Sequence, residues 1–337
     1  MQVNRKSTNR NGGTGIFPVW EIRGGFTLVE MLVVILIIGI LAGLITAAAL
    51  RARNRAKATA IALEIKQLSM ALSDFRGGKD DPYPPDFAGL DSSDINIKSA
   101  AQQKVLGYIG WRWRRYTVPD WNTLRSTILL NSYSILDINN MNPATALAFW
   151  LGGMPDAQSR LCGFSKDSTN PFNNFDITTR NTSFFDFDPG RIKEYKYYAS
   201  GIIPGIGQPY IYLRAESPPD SNREYYIRDT STTPASYTFK SGSASGAKPY
   251  WDQRTKGWLN YKSYQILCCG LDGKFGKENV YPTGLITGAG VPTSSPDLRA
   301  DVMGTDSITP KPFPTGNFDH LDDQNNFCSG TISDDLP

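Results

Sequence analysis

Hydrophobic and polar positions divide this chain early. From Met31 to Leu50, "MLVVILIIGILAGLITAAAL", there is no charge. Twenty helical residues at about 1.5 Å each span about 30 Å, the thickness of one bilayer core. The run therefore predicts a membrane-crossing helix. The rival reading is a secretory signal, but its apolar core is shorter, about 7–15 residues. No small-residue cleavage site stands before the arginines that begin at Arg51. Past Leu50 the pattern changes rather than stops. Ala58, Ile61, Ile65, Leu68, Leu72 and Phe75 recur at alternating steps of three and four, one face of an amphipathic helix. Arg55, Lys57, Glu64, Lys66 and Asp74 lie off that stripe. The glycines and prolines of "RGGKDDPYPPD" end it. Phe26 to Phe75 thus reads as one helix, about 75 Å long at helical rise.

The rest of the chain has shorter periods. "NPATALAFWLGG" (142–153) predicts a short helix, with Asn142 as N-cap, Pro143 in the first turn and Gly152 after the last. "TLRSTILLNSYSIL" (123–136) is a second helical candidate. Four segments rich in aromatic and β-branched residues read as strands: "EYKYYAS" (194–200), "PYIYLRA" (209–215), "SYTFK" (236–240) and "SYQILCC" (263–269). A long helix followed by antiparallel strands is an α+β architecture. "SGSASGAKP" (241–249), the polar stretch 167–183 and the turn-rich stretch 284–316 read as loops.

Charge adds one point. The net charge is +3, and Arg5, Lys6, Arg10 and Arg23 against Glu21 account for all of it. The remainder is neutral, which argues against nucleic acid as the main partner. Basic residues flank the apolar run on both sides, so charge alone gives no orientation. Gly39 and Gly43 form a GxxxG that Ala47 extends, a spacing that permits close helix approach in lipid and also arises by composition. Cys162, Cys268, Cys269 and Cys328 show no CxxC spacing, which argues against zinc. Disulfides in an exported chain and small buried thiols both fit them.

Arg23-Gly24, then Gly25-Phe26-Thr27-Leu28-Val29-Glu30, then the apolar run, resembles the type IV prepilin cleavage and methylation motif. The resemblance implies a pilin-like fold: a long N-terminal hydrophobic helix packed on a C-terminal antiparallel β-sheet domain with large loops. It implies a leader over 1–25, the transmembrane half of the helix over 26–50, its amphipathic half over 51–76 and an outer α+β domain over 77–337. A prepilin peptidase is expected to cut between Gly25 and Phe26 on the cytoplasmic face and to methylate the new amine of Phe26. The outer domain then lies in the periplasm or outside the cell. An isolated carboxylate at the edge of lipid is costly and tends to need a partner. In this family the equivalent of Glu30 meets the N-terminal amine of a neighbouring subunit during assembly.

A second resemblance lies near the C-terminus. "SYQILCCGLDGKFG" (263–276) with "DHLDDQNNF" (319–327) looks like the end of proteins similar to the major type II secretion pseudopilin. It implies a calcium loop, with Asp272, Asp322, Asp323, Asn325 and Asn326 as oxygen ligands suited to a hard cation. The separation of the two segments is wider than in that family, and Asp and Asn also cap ordinary turns.

"WRWRRY" (111–116) interleaves tryptophan and arginine, a composition that stacks on bases and holds phosphates. Read as a strand, it has a tryptophan core face and an arginine wet face. His320 lies beside Asp319, but no nucleophile elbow accompanies it, and no phosphate-binding glycine loop is present. An enzyme is not expected. The expected function is a pseudopilin-like structural subunit, assembled into a type II secretion pseudopilus-type filament for protein export. Its expected partners are the prepilin peptidase, other pseudopilins or pilins, and an inner-membrane assembly platform. The alternative is a minor or tip type IV pilin that acts as an adhesin or DNA-uptake module.

Overall fold

The computed structural model describes residues 27–173, 179–216, 225–229, 236–240, 247, 249, 251–252, 257–258, 260–271, 273–275 and 324–325. The chain divides into two compact units, residues 1–52 and 53–337. Helix α1, Leu28–Arg76, begins in the first and ends in the second.

In the first unit α1 is apolar on every side. Leu28, Ile35, Ile38, Leu44 and Ile45 are all more than half exposed. Among the described residues this is the one helix long and apolar enough to cross a membrane. A helix that is greasy all round needs a nonpolar surrounding.

The second unit starts with the amphipathic half of α1, and the stripe read from the sequence is the buried one. Ile61, Ile65, Leu68, Leu72 and Phe75 are at most 1% exposed. The helix stops at Arg76, where Gly77 takes a φ of 87°. That left-handed conformation is cheap only for glycine.

Helix α2, Ile95–Arg112, was not anticipated. The Asp94 carboxylate caps it, accepting from the backbone N–H groups of Asn96 and Ile97. Ala101, Val105, Tyr108 and Ile109 form its buried face. The strand expected over 111–116 is therefore corrected: Trp111 and Arg112 end α2, and Trp113 is its C-cap. An N-cap and a run with helical spacing outweighed the alternation of the last few residues. Helix α3 covers Trp121–Asn131, not 123–136. Asp120 starts it, and its side chain accepts from Asn122 and Thr123. Helix α4, Ala146–Gly152, starts later than expected. Asn142 caps the preceding turn through Ala144, and Gly153, with φ 75°, closes the helix.

All seven residues of α4 are buried. Trp150 is at the centre: its ring centroid lies 5.3 Å from Phe87, 5.2 Å from Tyr108 and 6.0 Å from Phe75. Its indole N–H donates to the Pro85 carbonyl at 2.8 Å. Burial of that one polar atom is thereby compensated.

The described residues of this unit also form four small antiparallel sheets. The expected strand 194–200 is only a hairpin of two-residue strands, β1 (Ile192–Lys193) and β2 (Lys196–Tyr197). Glu194 and Tyr195 both have positive φ at its turn, which stops a longer strand. Strand β3 (Ile211–Arg214) pairs with β8 (Tyr264–Cys268), which also pairs with β9 (Gln324–Asn325). Strands β4 (Tyr226–Asp229) and β5 (Ser236–Phe239) form one hairpin, and β6 (Trp251–Asp252) and β7 (Gly257–Trp258) another. All five residues of β8 are buried, as a strand covered on both faces requires. The arrangement is the mixed α+β one expected.

Candidate functional site

The start of α1 carries the first candidate. The Thr27 backbone N–H and hydroxyl both donate to Oε2 of Glu30, at 2.7 and 2.9 Å. The Glu30 N–H donates back to the Thr27 hydroxyl at 3.2 Å. This is a reciprocal capping box, which satisfies donors that the first turn of a helix leaves orphaned. Thr27-Leu-Val-Glu30 carries the Thr-x-x-Glu signature of such a box in plain sequence. The carboxylate is exposed, so nothing in the chain's interior neutralises it. Gly25 and Phe26 lie outside the described residues. Downstream, a Cβ placed on Gly39 or Gly43 would meet nothing within 4 Å. The small-residue pair is open along the exposed face of α1.

The tryptophan–arginine segment lies at the end of α2. Trp111, Arg112, Trp113, Arg114 and Arg115 line an open groove of about 420 Å³ with Asp81 and Ser168. The inner ring faces are occupied: Trp111 lies 5.6 Å from Tyr108, and Trp113 lies 5.1 Å from Phe164. The Arg112 guanidinium stacks over Phe75 at 5.1 Å, and its buried Nε has no hydrogen-bond partner. Arg114 and Arg115 are exposed.

Among the described residues, one half-buried and one buried charge cluster stand out that the sequence did not reveal. Glu64 of α1 accepts from the hydroxyls of Tyr197 and Tyr210 and from the Arg191 guanidinium, at 2.6 to 2.7 Å. Burial is the main cause that pushes the hydroxyls of Tyr197 and Tyr210 well above the usual phenol range; Glu64 comes next for Tyr197, and Cys268 and then Glu64 for Tyr210. Both therefore stay donors. The second cluster joins Asp86, Glu216 and Lys240. Only the fold brings these residues together. The one local signal was a lysine closing a strand with two aromatic residues, "SYTFK".

The calcium candidates Asp272, Asp322, Asp323 and Asn326 lie outside the described residues, and Asn325 is described only as part of β9. Among the described residues no group of three or more His, Cys, Asp or Glu could hold a metal. His320 and Cys328 are likewise outside. Cys162 is half-buried, while Cys268 and Cys269 are buried, the latter donating to the Gln208 carbonyl at 3.1 Å. No disulfide joins these three.

Residues 22–46 match the family model of the prokaryotic N-terminal methylation motif. Comparison with curated proteins and with solved structures gave no match. The matched span holds the Gly25–Phe26 junction, the Thr27–Glu30 cap and most of the exposed apolar part of α1. The motif implies processing by a prepilin peptidase and assembly with other pilin-type subunits. Residues 22–46 thus carry the N-terminal motif found in type IV prepilin-like proteins.

Proposed function

We propose that this chain is a structural subunit of a type II secretion pseudopilus-type filament. A prepilin peptidase cuts between Gly25 and Phe26 and methylates the Phe26 amine. The remaining helix anchors the subunit in the inner membrane with its outer domain in the periplasm. Assembly, rather than chemistry on a substrate, is its task. One observation carries the reading: the matched motif opens a helix whose apolar surface is uncovered on all sides from Leu28 to Leu50. Such a surface needs lipid before assembly and neighbouring helices after it. Glu30 sits at the edge of that surface, where the new amine of the next subunit would meet it. Calcium bound by Asp272, Asp322, Asp323, Asn325 and Asn326 remains part of the proposal, as a brace for the C-terminal loop.

The test is the mass of the N-terminal peptide in membranes of the native host. N-methylated Phe26 as the first residue supports the reading. A stable mature pool that still begins at Met1 overturns it.

The groove at Trp111–Arg115 favours a second reading, a minor or tip pilin that holds an anionic ligand. Recovery of secretion components with the tagged chain favours the first. DNA retention that disappears in Arg114→Ala/Arg115→Ala favours the second.

A further inference from the structure

Lys240 follows β5 and is buried, its side chain only 1% exposed. Its Nζ donates to Asp86 Oδ2 at 2.8 Å, to Glu216 Oε1 at 2.9 Å and to the Arg214 carbonyl at 2.8 Å. Two carboxylates on one buried ammonium are an unusual environment, and their other partners differ. Glu216 has further cations, Lys104 at 2.5 Å and Arg214 at 3.9 Å. Asp86, 4% exposed, has no cation but Lys240 among the described residues. Its remaining partners are backbone donors: Arg214 N–H on Oδ2 at 2.8 Å and Ala88 N–H on Oδ1 at 3.2 Å.

We propose that Lys240 and Asp86 condense into an intramolecular isopeptide bond, with Glu216 relaying the proton. In the first step one proton passes from Nζ to the Asp86 carboxylate, which makes the nucleophile an amine and the electrophile a carboxylic acid. The amine then faces a carboxyl carbon one bond behind the oxygen it touches. Held reactants of this kind react as if at very high concentration. The Nζ–Cγ bond forms and the Cγ–Oδ2 bond breaks. Glu216, already on Nζ, accepts a proton from the attacking nitrogen and passes it to the departing oxygen. The two protons lost by the ammonium leave with Oδ2 as one water. Oδ1 stays as the amide oxygen, still held by the Ala88 N–H. No oxidant, reductant or cofactor takes part. The half-buried pair of Glu64 with Arg191 has no such route, because a guanidinium does not give up its proton. The bond would tie the loop after α1 to the end of β5, across 154 positions of sequence. A subunit under tension in a filament would then carry load through a covalent link.

The full-length chain, extracted folded from membranes and held folded for a day, is denatured, digested and read by mass spectrometry. The expected product is one branched peptide joining residues 86 and 240, lighter than its two parts by one water and uncut by trypsin at Lys240. Glu216→Ala is expected to slow its appearance at least tenfold. Asp86→Ala and Lys240→Arg are expected to abolish it. Separate, unmodified peptides from the wild-type chain overturn the proposal, and that reading does not depend on any variant folding. A link from Lys240 to Glu216 instead overturns the assignment of Asp86.

Discussion

The Tyr210 hydroxyl donates to the Glu64 carboxylate at 2.6 Å, across 146 positions of sequence. With Tyr197 and Arg191 it fastens the amphipathic half of α1 to the β1–β3 region. A half-buried carboxylate with three donors is costly to break from one side. Glu64→Ala is expected to destabilise the folded chain by about 3 kcal/mol, and Tyr210→Phe by about 1 kcal/mol. Denaturant unfolding of the detergent-solubilised chain measures both. A cost for Glu64→Ala no larger than that for Tyr210→Phe would mean the cluster is not coupled.

The stripe on α1 makes a second contrast. Phe75 is buried against Trp150, Phe164 and Phe184, with centroids between 5.1 and 6.4 Å. Leu63, twelve residues earlier on the same helix, is 56% exposed. Phe75→Ala is expected to cost about 3–5 kcal/mol through transfer and cavity terms. Leu63→Ala is expected to change stability by no more than about 0.5 kcal/mol. Comparable losses in the two variants would show that the buried face is wrongly assigned.

Acid sensitivity should have a contribution from Asp156. Burial pushes its carboxyl up, but the N–H groups of Arg160 and Gln158 and the Arg160 guanidinium outweigh this and hold it below its ordinary 3.8. The folded value is thus the lower one, so the ionised form stabilises the fold. That contribution is complete above about pH 4 and fades as pH falls through the folded value. Asp156→Asn is expected to lower the unfolding midpoint at pH 7 and to leave a shallower fall below about pH 4. Parallel curves for variant and wild type between pH 5 and pH 2 would exclude this source.

Glu30 has two roles that substitution separates. Thr27→Ala removes the hydroxyl partner of the cap, and Glu30→Gln keeps a hydrogen-bonding side chain while removing the charge. Neither is expected to block membrane insertion. If the charge meets a neighbouring amine, Glu30→Gln reduces filament yield at least tenfold while Thr27→Ala has a smaller effect. Filament counts from cells carrying each variant decide, and equal yields would leave the capping box as the only role of Glu30.

The sequence also holds local signals for helix α2 that neighbouring residues obscure. Helix α2 has an N-cap at Asp94 and apolar residues at Ala101, Val105, Tyr108 and Ile109. Gly107, Gly110 and the neighbouring tryptophan–arginine alternation masked that period. The segment 194–200 failed in the other direction: its aromatic content suits a strand, yet positive φ at Glu194 and Tyr195 turns it after two residues.

By itself the sequence determined the features that depend on nearest neighbours along the chain. These are the uncharged run long enough for a bilayer, the three-and-four stripe from Ile61 to Phe75, the glycine stop after Arg76 and the motif around Gly25, Phe26 and Glu30. Periodicity and local motifs need no knowledge of what lies opposite. Only the tertiary structure decided which charges are buried and with whom. Glu64 meets Tyr197 and Tyr210, and Lys240 meets Asp86, across more than 130 residues, and no local pattern encodes such a meeting. The energy of a buried charge depends on the atoms packed around it, and the fold supplies those from distant parts of the chain.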